Sequence, residues 1–514
     1  MKIIPTARVF CLAFALATTA IASSDVMDIG SRRELFVDGA LVDQLRGRGE
    51  LRLHSPVAQE VAVTHDQAWE GNASAYHSIF QDGDLYRMYY RGWQIDFTPG
   101  KVRTSNNFLC YAESNDGIHW RKPELGLHEF KGSKANNIVM LSGTFQGVNA
   151  DAGHPAVFKD DNPAAKPAER YKAFIRSKKP LGLLAFASPD GIHWSAMSPA
   201  PVISDGAFDS QNLAFWDAAR GEYRAYWRYF TGGTVTNDEW KPQGVRSIRT
   251  ATSKDFMHWS HQNDVSYVDS APEQLYTNVI KPYARAPQLL LGFPLRYIEQ
   301  GWSDSMRALP DRSEREIKAG IVERYGTALC ESLFMASRDG VTFKRWNEAF
   351  IRPGIERSGT WNYPHLLVGW HLVETKSALT GAPDELSLYA VESYGGGGNH
   401  SVLRRYTLRL DGFVSAHAPM SGGELLTKPV RFQGARLHLN FSTSAAGGIQ
   451  VEIQDEKGNP LPGFTVADCP PIFGDTIDRA VTWKGGGDVS ALAGKSVRLR
   501  FVMKDSDLFS FQFR

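Results

Sequence analysis

The chain has 514 residues, 42% hydrophobic and 22% charged, with 57 Lys and Arg against 56 Asp and Glu, a net charge of +1. That length implies two to four domains with enough apolar residues to bury a core. The balanced charge excludes the electrostatic footprint of a dedicated nucleic-acid binder and of a polybasic membrane-surface protein. With 13 Trp, 18 Tyr, 28 Phe, 47 Gly and 26 Pro, the composition suggests short strands and turns, an all-β chain.

Residues 1–22 read as a signal peptide. Lys2 and Arg8 precede an apolar run from Val9 to Ala17, and Ala20-Ile21-Ala22 supplies a small-x-small site for cleavage after Ala22. The expected location is secreted or periplasmic. No other stretch approaches the ~20 apolar residues of a membrane span. Losing this segment removes Cys11 and leaves Cys110, Cys330 and Cys469. This odd, widely spaced set reads as buried thiols rather than a disulfide framework, with a Cys110–Cys330 pair as the alternative. None has metal-ligand spacing, and no metal or cofactor is expected. Residues 23–50 form an N-terminal segment. The stretch Glu34–His54, with Leu35-Phe36-Val37-Asp38-Gly39, is a candidate strand for closing a ring.

Residues 51–419 carry a repeat. Ser114-Asn115-Asp116-Gly117-Ile118-His119-Trp120 recurs as Ser188-Pro189-Asp190-Gly191-Ile192-His193-Trp194 and Ser253-Lys254-Asp255-Phe256-Met257-His258-Trp259. A fourth copy is Ser337-Arg338-Asp339-Gly340-Val341-Thr342-Phe343. Apolar residues lead into each copy, and Asp-Gly after such a run marks the turn of a β-hairpin. The Ser positions stand 74, 65 and 84 residues apart, room for a four-stranded unit with loops. A second hairpin lies upstream of each copy, the first being Ala75–Phe80 with Leu85–Arg91. A diverged fifth unit runs from about Tyr363 to Leu410, ending in Leu386–Glu392 and Val402–Leu410. Five four-stranded units arranged radially make a five-bladed β-propeller. Residues 420–514 lose the repeat. Val430–Phe432, Leu437–Phe441, Ile449–Ile453, Ala480–Trp483 and Val497–Met503 read as short strands of a separate β-sandwich.

In a propeller, residues just before the first strand of each blade converge on the funnel mouth. Those residues are Trp69-Glu70-Gly71-Asn72, Asp151-Ala152-Gly153-His154, Asp209-Ser210-Gln211-Asn212, Glu273-Gln274-Leu275-Tyr276-Thr277-Asn278, and Glu356 with Trp361-Asn362-Tyr363. Carboxylates, amides and aromatic faces at one end suit glycoside chemistry. One carboxylic acid protonates the leaving oxygen and a second carboxylate attacks or activates water. Amides hydrogen-bond sugar hydroxyls, and Trp or Tyr stack on sugar faces. His119, His193 and His258 share one repeat position on different blades, where a packing role outweighs a metal site.

Trp-Glu-Gly-Asn, Asp-Gly-Asp-Leu-Tyr-Arg-Met-Tyr-Tyr and the repeated Ser-x-Asp-Gly-x-x-Trp segments resemble glycoside hydrolase family 32-like and family 43-like proteins. These are five-bladed propellers, often with a C-terminal β-sandwich, and the likeness covers about residues 50 to 420 in plan. It implies an acidic trio, which by order and position falls on Glu70 as base or nucleophile, Asp209 as stabiliser and Glu273 as proton donor. Trp69, Asn72, Arg91, Asp151, Gln211, Asn212, Tyr276, Asn278, Trp361 and Asn362 are the matching candidates for substrate contact. The chain departs from family 32 in carrying Glu70 where Asp is implied, and in lacking Asn-Asp-Pro-Asn and Arg-Asp-Pro segments. Cys330-Glu331 reverses that family's Glu-Cys order. A sialidase-like alternative would use Arg91, Arg228 and Arg296 with Tyr76 or Tyr276. The expected function is an exported glycoside hydrolase acting on a poly- or oligosaccharide; the alternatives are a non-catalytic glycan-binding propeller and a surface interaction scaffold.

Overall fold

The computed structural model describes residues 26–396 and 400–514. The segment 1–22, expected to be a signal peptide, and part of the Gly395–Gly398 run therefore lie outside the described residues. Five blade sheets make the propeller, and a further ten-stranded network joins the two ends of the chain.

Blade one is an antiparallel meander of Ala75–Asp82, Leu85–Thr98, Lys101–Ser114 and Ile138–Leu141. Blade two is built on Val148–Lys159, Tyr171–Lys178 and Leu181–Ser188, and blade three on Leu213–Asp217, Glu222–Val235, Trp240–Ser253 and Trp259–Asp264. Blade four holds Ala286–Gly292, Leu295–Glu299, Ala328–Ser337 and Thr342–Ile351. Near-continuous apolar runs such as Leu181–Ser188, buried at every position, let inner strands bury both faces against neighbouring blades. Trp227 and Trp370 are among the largest fully buried side chains, and truncating either to Ala would cost roughly 3–5 kcal/mol.

The four Ser-x-Asp repeats form one turn. In the first, Ser114 Oγ accepts from the Gly117 N–H at 2.9 Å, while Asp116 Oδ1 accepts from Ile118 and His119 N–H, both at 2.8 Å. Gly117 takes φ +73°, and a Cβ there would lie 2.9 Å from Thr375 Cγ2. His119, His193 and His258 each bond their own turn's Asp through Nδ1 at 2.7 Å and are exposed. They brace turns.

Ring closure differs from the expectation. Val57–Thr64 pairs with Val402–Arg409 as the outer strand of blade five, which also contains Val373–Thr375 and Glu385–Glu392. The Glu34–His54 stretch goes elsewhere: Val42–Gly47 pairs with Gly423–Thr427, and Glu50–Leu53 with Val414–Ala418. The reason is pattern. Leu35, Phe36, Val37 and Leu41 are fully buried against the C-terminal strands, whereas Val57–Thr64 needs only one buried face as a covering edge. Asp411, fully buried at the junction, receives Tyr283 Oη at 2.8 Å, Arg285 Nε at 2.8 Å and Arg33 at 3.1 Å.

Two further expectations change. Leu437–Phe441 and Ile449–Ile453 are parts of one strand, Leu437–Gln454, paired along its length with Ser496–Phe513 and bulged between Thr443 and Gly448. The strand expected at Ala480–Trp483 instead runs Asp475–Ala480. The three cysteines are buried and separate, so the Cys110–Cys330 pairing does not form.

Candidate active site

Two breaks in strand pairing open the funnel. In blade one the ladder skips from Ala75 to Ser78, and Tyr76 takes the left-handed φ +56° that a bulky side chain rarely adopts. In blade two it skips from Asp151 to Pro155. Gly153 allows this second break: a Cβ there would fall 1.7 Å from Asn107 Oδ1 and 3.1 Å from Arg91 Nε. Tyr76 and His154, released from their ladders, both line a cavity of about 430 Å³. Asp209 reaches it from the turn before blade three, Tyr276 from blade four, and Tyr363 and Tyr394 from blade five. Every blade contributes.

One wall is the tip of the 14-residue strands of blade one, which brings Trp93, Phe97 and Asn107. Facing it stands a helical insertion in blade four, Asp304–Ala308, Arg312–Ala319 and Glu323–Thr327, which supplies Lys318, Arg324 and Tyr325. Sequence reasoning missed this insertion. Its signal was present in Ser303, whose side chain accepts from the Met306 N–H at 3.1 Å as an N-cap.

Asp209 keeps 46% of its side-chain surface because it faces the cavity. Its Oδ1 lies 2.8 Å from Arg176 and 3.0 Å from His154 Nε2. Burial among protein groups would raise its pKa, but His154 beside it and the charges of Arg176 and Arg228 hold it well below the ordinary carboxylate range. Asp151 stands behind, 2.5 Å from Asn107 Nδ2, 3.1 Å from His154 Nδ1 and 3.5 Å from Arg176. Burial opposes its ionisation too, and His154, Lys178 and Arg176 overcome it, so its pKa also falls. His154 is thus held at ion-pair distance between two carboxylates, although neither ring nitrogen is aligned for a hydrogen bond. The phenols behave oppositely: burial pushes Tyr76, Tyr363 and Tyr394 upward, so they remain hydroxyl donors.

Of the acidic trio, only Asp209 lines the cavity. Glu70 is fully buried, and its carboxylate is taken by Lys122 at 2.7 Å, the Gln67 N–H at 2.9 Å and Tyr90 Oη. Glu273 sits 3.4 Å from Arg296 and 3.6 Å from Arg345, off the cavity lining. Among the contact candidates, Arg91 and Tyr276 reach the cavity, and Asp151 supports it from behind. The others serve the scaffold. Trp69 Nε1 donates to Asn137 Oδ1 at 2.6 Å, and Asn72 is held by the Ile95 backbone at 2.9 and 3.0 Å. Gln211 donates to the Tyr76 carbonyl at 2.9 Å, Asn212 to the Ser210 carbonyl at 2.9 Å, and Asn278 Oδ1 accepts from the Ile280 N–H at 3.4 Å. Trp361 Nε1 donates to the Gly354 carbonyl at 2.9 Å, and Asn362 does not line the cavity. Arg296 pairs with Glu331 and Glu273 away from the funnel, so the arginine set of the sialidase-like alternative does not assemble.

No family model matches the chain, and no curated protein does. Solved structures do. A glycosyl hydrolase from Bacteroides ovatus is 13% identical, with a TM-score of 0.41, covering 71% of this chain and 94% of the other. A thermostable family-43 glycoside hydrolase is 11% identical, with a TM-score of 0.40 and coverages of 70% and 96%. An N-acetylgalactosamine deacetylase from F. plautii, in complex with blood group B trisaccharide, is 10% identical, with a TM-score of 0.39 and coverages of 69% and 94%. Identities and TM-scores this low assign no activity.

Proposed function

We propose that this protein is an exported glycoside hydrolase whose active site is the funnel cavity, with Asp209 as its central carboxylate. One observation carries the reading: an ionised carboxylate opens into a cavity walled by Tyr76, Trp93, Tyr276, Tyr363 and Tyr394. Aromatic faces suit the apolar faces of sugar rings, while tyrosine hydroxyls and Asn107 suit their hydroxyl groups. A carboxylate held ionised fits the role that attacks the anomeric carbon or stabilises an oxocarbenium-like transition state. It does not fit proton donation. His154, its Nε2 only 3.0 Å from Asp209 Oδ1, lies too near that carboxylate to act across a glycosidic bond from it and instead positions it. Export would follow from residues 1–22.

A second reading, glycan binding without cleavage, is favoured by Asp209 being the one carboxylate among the lining residues. Sugar release from a panel of aryl glycosides and polysaccharides separates the two. The hydrolase reading expects release by the wild type that falls about 10³-fold in Asp209→Asn and about 10²-fold or more in His154→Gln, with folding intact. Binding of a glycan without release by the wild type would establish the binding reading instead.

A further inference from the structure

Resting on the reading of the cavity as a carbohydrate site, we infer that its ligand is an acidic sugar, one bearing a carboxylate or a sulfate ester. Five cations, Arg91, Arg176, Lys178, Lys318 and Arg324, line the cavity with Asp209. Three have carboxylates of their own: Arg176 has Asp209 and Asp151, Lys178 has Asp151 at 3.7 Å, and Lys318 has Glu314. Arg91 and Arg324 have no carboxylate within 4.0 Å among the described residues.

Arg91 is the telling case. It is only 5% exposed, its Nε lacks a hydrogen-bond partner, and its guanidinium lies 3.5 Å from the Trp93 ring and 5.7 Å from Tyr76. A guanidinium buried without a counter-charge is costly, and flanking rings recover only part of that cost. A planar fork of donors held by aromatic stacking fits a carboxylate or sulfate in bidentate fashion. Arg324, on the helical insertion and stacked 4.8 Å from Tyr325, faces the same space from the opposite wall. Neutral sugars would leave both cations unmatched. An acidic one neutralises them while its ring lies against the tyrosines.

The test is calorimetric titration of the full mature protein with galacturonate oligosaccharides, 6-sulfated galactose and unsubstituted galactose, at low and high salt. Acidic ligands are expected to bind at least ~10-fold tighter than galactose, with the advantage shrinking as salt rises. Arg91→Gln should remove most of that advantage. Should that buried variant not fold, Arg324→Gln on the half-buried helix gives the same readout. The tighter of the two acidic ligands identifies the anionic group. Equal or tighter binding of galactose, or an acidic preference that survives both variants, overturns the inference and leaves the carbohydrate reading standing. No binding of any sugar overturns both.

Discussion

Aspartates of the rim turns and of the funnel are held ionised by different means. Asp116, Asp190 and Asp255 each accept two backbone N–H groups from residues two and three positions ahead, and each bonds a histidine of its own turn. Nothing outside the turn is needed, and the arrangement recurs from blade to blade. Asp151 and Asp209 depend instead on Asn107, His154 and Arg176, which come from blades one and two, and no other blade reproduces their setting. Repetition here marks what builds a blade. The ladder breaks of blades one and two, at Ala75–Ser78 and Asp151–Pro155, mark the site.

This contrast can be broken at several points. The largest effect is expected at Asp209, where replacement by Asn should lower sugar release about 10³-fold while a urea melt stays near wild type. Lys122→Met comes next. It leaves Glu70 buried without its cation, and a loss of about 3–5 kcal/mol in unfolding free energy is expected by chemical denaturation. Acid should act on buried histidines rather than on the rim. Burial lowers His65 to about 4 despite the opposing charge of Glu70, and lowers His365 to about 4 despite that of Glu392. The unfolded chain then binds protons that the folded one refuses. Stability from each is therefore full above about pH 6.5 and is lost as the pH falls towards 4, by up to about 3 kcal/mol apiece. Denaturation midpoints at pH 7, 5.5 and 4.5 would check this; a flat profile would contradict it. The smallest effect belongs to Asp190→Ala, which removes a local turn acceptor. About 1 kcal/mol of stability should go, with turnover unchanged; a drop in turnover would show that the rim turn reaches the site.

Much of the architecture was legible because it repeats. The Ser-x-Asp turns and the hairpins before them give the blade plan, since backbone hydrogen bonding and strand alternation are local. Ring closure was not. Glu34–His54 is the stretch that reads as a closing strand, and only burial against distant partners puts Val57–Thr64 at the edge of blade five instead. The site was half legible. Position before the first strand brings Asp209 and Tyr276 to the cavity and Asp151 behind it, while Glu70 and Glu273 stand at equivalent positions yet are consumed by Lys122 and by Arg296 and Arg345. Arg176, Trp93 and Tyr394 enter from second strands, hairpin tips and loops, where no one-dimensional rule points inward.

The weave of the two ends has a consequence for how the chain reaches its native state. Thr64 pairs with Val402, Met27 with Val430 and Arg33 with Gln512, so the earliest strands to emerge during synthesis have no partners until the last have been made. Contacts of such sequence separation are slow to form, because loop-closure entropy is spent before packing repays it. Individual blades can assemble as hairpins, but neither the ring nor the terminal sheet can shut early. Closure of both therefore belongs to the end of folding, after the blades between them have formed their own hairpins.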